Sequence, residues 1–248
     1  MQAYVAEDLG ERLSVIMHHF PQSVVIAHQA EVFAQTLKAS GKCADVQLIE
    51  PPENDVPDFQ SQSFDAVFSL LDLHCVNDVP GYLARCAKAL KPDGLFLCCF
   101  FAGDTLIELR ESWLTAEATF GVASPRVAPM IGIREMGGLL QRAGLALPVA
   151  DADRLTVRYA NVLALLREIK SLGYANPLAQ RHSKLTAPRL ISALTQSYRP
   201  DDDGRIHATI ELFWAMAWKP HSSQQQPKKP GSAEIQLEDL LKTFSDEK

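Results

Sequence analysis

The chain has no long apolar run: nothing in it approaches the roughly 20 residues that a membrane helix requires, so no membrane span is expected. It also lacks a basic excess. Its 24 Lys and Arg stand against 30 Asp and Glu, for a net charge of -6. A nucleic-acid groove needs a positive face, so that class of partner is not expected. Cysteine is sparse. Cys43, Cys75, Cys86, Cys98 and Cys99 form no C-x-x-C pair and no zinc spacing, and their apolar neighbours suit reduced core thiols. The opening residues have neither a basic region nor an apolar stretch, and Glu7 and Asp8 are out of keeping with a presequence.

The most informative absence is glycine between Ser23 and Gln35, which read Ser-Val-Val-Ile-Ala-His-Gln-Ala-Glu-Val-Phe-Ala-Gln. An apolar strand here passes straight into a helix. At such junctions of open α/β sheets, glycine lets the backbone approach a ligand closely, having no Cβ and tolerating positive φ. This loop offers Ala27, His28, Gln29 and Ala30 instead.

What is present reads as alternating strands and helices. Apolar spacing predicts helices over 8–19, 29–39, 79–90, 105–119, 136–142, 161–172 and 186–198. Strands are expected over 24–27, 45–50, 64–70, 95–101, 154–159 and 206–219. Lys91-Pro-Asp-Gly reads as a turn between a helix and the fourth strand. The connection from Glu50 to Phe64 is too short for a further crossover helix and strand, because a complete crossover takes at least about 10–12 residues besides the new strand. The pattern implies an α/β fold, a mostly parallel open sheet covered on both faces. Ligands of such sheets bind at the carboxyl ends of the strands near the switch point. Residues 1–220 form one domain. Residues 221–248 read as a polar tail with a short amphipathic helix over 234–244.

Phe64-Asp-Ala-Val-Phe-Ser, Leu73-His-Cys-Val-Asn-Asp and Leu90-Lys-Pro-Asp-Gly-Leu-Phe resemble the second half of class I S-adenosylmethionine (SAM) methyltransferases. Gly103-Asp-Thr-Leu-Ile-Glu-Leu-Arg110, Ser124-Pro-Arg-Val-Ala-Pro129 and Leu139-Leu-Gln-Arg-Ala-Gly144 are similar to one subgroup. That subgroup holds the mitochondrial complex I assembly factor 5 and its alphaproteobacterial relatives. The resemblance implies a Rossmann-like, three-layer, seven-stranded sheet with a small helical insertion before the last strand. It implies SAM as cofactor, a bacterial cytoplasmic location, and either methyl transfer, as in malonyl-carrier methyltransferases, or protein-arginine hydroxylation. A protein partner, or a small acyl or protein substrate, follows from the same resemblance.

Where the family holds SAM, this sequence departs from it. The acidic residue and Gly-x-Gly pattern of the methionine loop are replaced by Ala27-His-Gln-Ala, and the third strand with its adenine-side acid is deleted. The cofactor positions are therefore Ala27, His28, Gln29, Glu50, Leu70 and Leu71, with Glu50 placed as the ribose-binding acid. Glu50 also reads as a solvated strand-end acid, and His28 as a plain loop residue.

On the substrate or partner side stand His74, Asp104, Thr105, Glu108, Arg110 and Arg126. Asp72 and His74, two apart, share one face of an extended backbone and would give two ligands of an iron site. The family resemblance instead makes His74 a loop organiser bonded to backbone near Asn77 or Asp78, and no metal site is assigned. Asp104 is placed as a helix N-cap and Arg110 as the partner of an acid. Arg126 either anchors an acidic partner or is a surface loop charge. No catalytic residue is identified.

Two functions fit these residues. One is a SAM-dependent or protein-modifying enzyme linked to respiratory complex I assembly. The other is a non-catalytic binding or assembly module of the same fold that has lost SAM.

Overall fold

Strand β1 (Phe20–Ile26) pairs in parallel with β2 (Cys43–Ile49) and β3 (Phe64–Leu70), and β3 pairs in parallel with β4 (Leu90–Phe101). These strands are apolar on both faces because helices cover both: Val24, Val25 and Ile26 are fully buried, as are Phe96, Cys98 and Phe100. Strand β6 (Ile206–Trp218) runs antiparallel between β4 and β5 (Ala146–Tyr159). The computed structural model describes residues 1–51, 57–178, 181 and 185–225. The helix expected over 234–244 and most of the polar tail lie outside the described residues.

Among the described residues the sheet has six strands in the order β2-β1-β3-β4-β6-β5, where the family resemblance implies seven. The described residues between Ile49 and Phe64 contain no helix or strand, in keeping with the short connection read in the sequence. Strand β2 thereby becomes an edge, and its Ala44, Asp45, Gln47 and Leu48 are exposed. The registers Ile26↔Ile49, Ile26↔Ser69 and Leu70↔Cys99 bring Ala27, Glu50 and Leu71 to one end of the sheet.

On one face, α1 (Gln2–Val15) and α2 (Ala30–Ala39) bury Leu9, Leu13, Phe33 and Leu37 against Val25, Phe68, Leu97 and Cys99. On the other, α3 (Val79–Ala89) and α5 (Ile133–Arg142) bury Tyr82, Leu83, Met136 and Leu140 against Ile26, Val67, Phe96 and Cys98. Cys98 and Cys99 thus point to opposite faces, as their adjacency in a strand requires. A third cluster joins α4 (Ile107–Ala118) to the helical insertion between β5 and β6, formed by α6 (Val162–Ser171) and α7 (Pro188–Ser197).

Several boundaries differ from the sequence pattern: α1 covers Gln2–Val15 rather than 8–19, and β1 begins at Phe20 rather than at 24, with Pro21 inside it. Strand β5 begins at Ala146 rather than at 154, because Pro148, Asp151 and Asp153, residues unfavourable in strands, hide a ladder that β6 nevertheless completes. Lys91-Pro-Asp-Gly does not separate helix from strand. It lies within β4 as an irregularity with Asp93 at φ 62°, its N–H donating to the Lys219 carbonyl at 3.1 Å.

Candidate functional site

The junction from β1 to α2 is closed by side chains and by the ladder. Ala27 is fully buried, and its N–H donates to the Ile49 carbonyl at 3.2 Å. Leu70 and Leu71 at the end of β3 are buried beside it. Gln29 occupies the left-handed region at φ 56°, where a non-glycine residue costs about 1 kcal/mol. The turn that glycine would make freely is therefore made under mild strain. Glu50 and His28 reach toward each other from the ends of β2 and β1, with Oε2 3.2 Å from Nδ1, and both side chains are well exposed. The acid assigned to a ribose is thus engaged by the residue that stands in the glycine loop.

Beyond β3 the chain makes a short 3-10 turn over Leu73–Cys75. This corrects the extended geometry expected there, so Asp72 and His74 do not share a face. Asp72 is buried toward α3, where Tyr82 Oη donates to its Oδ2 at 3.1 Å and lies 2.9 Å from Ser69 Oγ, whose hydroxyl can donate to it. His74 goes the other way. Its ring lies 4.8 Å from Phe101 and 5.4 Å from Tyr174, centroid to centroid, and Phe101 and Tyr174 themselves stand 5.0 Å apart.

The expected backbone bonds to His74 are absent. Both ring nitrogens are closed off from solvent without a hydrogen-bond partner among the described residues. Leaving such a group unpaired costs about 1–3 kcal/mol. Burial, reinforced by the nearby His28, lowers the His74 pKa to about 4, so the imidazole is neutral. Among the described residues, no three His, Cys, Asp or Glu side chains gather to hold a metal ion.

Asp104 is not the N-cap of α4. Residues 103–106 form a turn, the cap position is Leu106 at φ 57°, and the exposed Asp104 carboxylate meets Arg154 at 3.3 Å. The cause is the carboxylate of Glu211 on β6. It accepts the Asp104 N–H at 2.8 Å and occupies the space where a Cβ on Gly103 would stand. Thr105 and Glu108 fasten the same segment to β6. Thr105 Oγ1 accepts the Glu211 N–H at 2.9 Å, and Glu108 accepts the Thr209 N–H at 2.9 Å. Arg110 makes no ion pair among the described residues, and its Nη2 is buried and unpaired. Thr105 and Glu108 thus anchor the start of α4 to β6.

The end of the sheet opens into an apolar cavity of about 520 Å³, within the range of small-molecule sites. Phe101, His74 and Tyr174 line it beside Leu106, Leu109 and Trp113 of α4. Val157 and Tyr159 of β5, and Leu165, Leu166 and Ile169 of α6, line it too. Arg126 lines the same space but is neither a free anchor nor a surface charge. Its Nε donates to Glu117 Oε1 at 2.7 Å, its Nη1 to Thr186 at 3.2 Å, and its guanidinium lies 4.9 Å from the Trp113 ring centroid. Glu117 is 1% exposed and also accepts the Ser124 N–H and Oγ–H, each at 2.8 Å. Burial alone would raise its pKa, but Arg126 and Ser124 outweigh burial and hold it below the ordinary value.

Sequence reasoning missed Glu117, Trp113 and Tyr174. A signal for the first two is present: Trp113 and Glu117 are four apart, hence on one face of α4, ahead of the Ser124-Pro-Arg126 loop that they receive. Tyr174 lies beyond the end of α6 and carries no such periodic mark.

A family model described as "Methyltransferase domain" matches residues 10–98. The mitochondrial arginine-hydroxylase NDUFAF5 of Danio rerio is 32% identical over 247 residues, spanning 96% of this chain and 75% of that protein. Its Mus musculus counterpart is 33% identical over 265 residues, spanning 96% and 77%. The malonyl-[acyl-carrier protein] O-methyltransferase of Xylella fastidiosa is 34% identical over 162 residues, spanning 64% of this chain and 53% of that protein. Among solved structures, a Bacillus halodurans protein described as a methyltransferase superposes with TM-score 0.55 at 12% identity, covering 86% of this chain and 98% of that one. The YcgJ protein of Bacillus subtilis gives 0.52 at 15% identity, covering 87% and 99%.

Proposed function

The chain belongs to the family of the mitochondrial arginine-hydroxylase NDUFAF5, and we propose that within it this methyltransferase-fold protein is a binding module that works without SAM. The observation that carries the reading is the Glu50–His28 pair, 3.2 Å apart across the ends of β2 and β1. SAM asks three things of this edge: room for its methionine end beside the first junction, a free acid for its ribose, and a wall for adenine beyond the second strand. The junction here carries a Cβ at every position and buries Ala27. The acid holds an imidazole, and the element that would supply the adenine wall is missing. The residues present do not fit the cofactor, so no methyl transfer is routed through it.

What supports a binding role is the other half. A cavity lies beyond β4, Glu211 and Glu108 hold the start of α4, and Glu117 holds Arg126. A module that retains this half suits a task of engaging a ligand or partner, such as helping to assemble a multisubunit complex, the role that the family resemblance implies.

Calorimetric titration of SAM into the folded chain tests the reading. The expected result is no saturable heat up to millimolar cofactor. Micromolar saturable binding would overturn it and return the chain to the SAM-dependent transferases.

A further inference from the structure

The two edges of the sheet are built differently. Strand β5, at one edge, carries Pro148, a shift of register between Ala146 and Val149, and the exposed charges Asp151, Arg154 and Arg158. Features of this kind keep an edge from pairing with another chain. Strand β2, at the other edge, runs in regular register with β1 from Asp45 to Ile49 and carries one charge, Asp45. The Ala27 N–H donates to the Ile49 carbonyl, so the backbone groups of Ile49 face β1. Alternation along the strand then turns the N–H and C=O groups of Val46 and Leu48 outward, and no strand of the described residues pairs with them. Ala44, Asp45, Gln47 and Leu48 are exposed beside these groups.

We propose that β2 is a dimer interface, pairing antiparallel with β2 of a second copy of this chain about a twofold axis at Val46. In a twofold interface each contact occurs twice, with the roles exchanged, so the strand must be complementary to itself. In this register it is. Val46 meets its own copy as a hydrogen-bonded pair, Ala44 lies opposite Leu48, and Cys43 lies opposite Ile49. Gln47, whose amide can donate, lies opposite the Asp45 carboxylate. Lys42 and Glu50, of opposite charge, fall across from each other at the two ends. The outward backbone groups also permit an axis at Gln47 or at Leu48. The first sets Asp45 against Ile49, and the second sets Asp45 against Pro51 and Val46 against Glu50, so side-chain chemistry selects Val46. The pairing uses the outer side of β2 alone and holds whether or not the chain binds SAM.

Sedimentation velocity of the full chain over a concentration series tests the pairing. The ladder is seven residues long, so a reversible equilibrium is expected, with dimer dominant by roughly 100 μM, as suits an interface of small area. Gln47→Asp sets like charges opposite each other twice and should weaken dimerisation about tenfold. Adding Asp45→Lys to it makes both pairs opposite in charge and should restore the dimer. Both positions are exposed, and thermal melts should show the fold unchanged. Asp45→Cys and Gln47→Cys combined in one chain should give an intermolecular disulfide on oxidation, because antiparallel partners outside the hydrogen-bonded pairs have Cα atoms about 4.5 Å apart. Neither single cysteine variant should cross-link. Wild type that stays monomeric at that concentration overturns the proposal. So does a dimer indifferent to Gln47→Asp, or one that cross-links through Gln47→Cys alone, which would place the axis at Gln47. Should Gln47→Asp fail to fold, the cysteine pair decides alone.

Discussion

Glu50 Oε2 lies 3.2 Å from His28 Nδ1, joining the end of β2 to the end of β1. Both side chains are mostly in water, 61% exposed for His28 and 72% for Glu50. An exposed pair of this kind contributes about 0–1 kcal/mol, so its role at the edge is occupancy, not stability. His28→Gly should leave the urea midpoint nearly unchanged. It should also fail to confer SAM binding, because the adenine wall is still missing. Micromolar SAM binding by His28→Gly in calorimetry would show instead that one side chain had been the whole obstacle.

Glu117 makes the opposite case. Its carboxylate is buried and holds Arg126 and both donors of Ser124. Removing one partner of a buried pair leaves an uncompensated charge, so Glu117→Gln should cost about 3 kcal/mol at neutral pH. Its pKa is lowered, so its stabilising effect is fully present above the ordinary carboxylate value and is lost as pH falls through the lowered one. Chemical denaturation at pH 7 and pH 3 should therefore show a gap between wild type and Glu117→Gln that narrows at the acid end. A gap of equal size at both would refute the assignment.

The contrast between these two acids shows what was legible in the sequence. The missing crossover unit was readable because chain length is a hard bound: 14 residues, 50–63, cannot hold a further helix and strand. The inward faces of α2 and α3 were readable from spacing. Glu50 could be placed because strand ends are local. Glu117 was harder, because its partners Ser124 and Arg126 come from a loop, Arg126 is braced in turn by Thr186 before α7, and the four-residue spacing from Trp113 marks a shared helix face without saying what the carboxylate meets there. Asp104 was misread for a related reason. Its local context suits an N-cap, but Glu211, 107 residues away, takes its N–H and sets the turn.

That clamp makes a comparison of two glycines informative. Gly103 sits at φ 50° with the Glu211 carboxylate in the space of a Cβ, whereas Gly121 sits at φ 62° with nothing within 4 Å. Gly121→Ala should cost only the left-handed strain, about 1 kcal/mol. Gly103→Ala adds displacement of a carboxylate that accepts a backbone N–H, a charge-assisted bond of about 1.5–3 kcal/mol, so its total should reach about 3 kcal/mol. Equal losses in paired urea melts would mean that Glu211 does not fix the turn.

His74 supplies the most direct signature in pH. Its pKa is lowered to about 4 by burial and by His28 nearby, against 6.5 in an open chain. Between those values the unfolded chain binds a proton that the folded protein refuses. Stability must therefore fall as pH drops from about 6.5 toward about 4 and stop falling on this account below that. The difference of about 2.5 pKa units corresponds to about 3 kcal/mol across the window. His74→Phe removes both the titration and the two unpaired nitrogens. At pH 7 the variant should match or slightly exceed wild type in urea midpoint. By pH 4.5 it should lead by about 2–3 kcal/mol, since the remaining titrating groups are common to both chains and cancel in the difference. Parallel stability curves for the two proteins from pH 7 to pH 4.5 would mean that the imidazole is open to water or finds a partner on protonation. In that case, a neutral His74 closed off from water could not be maintained.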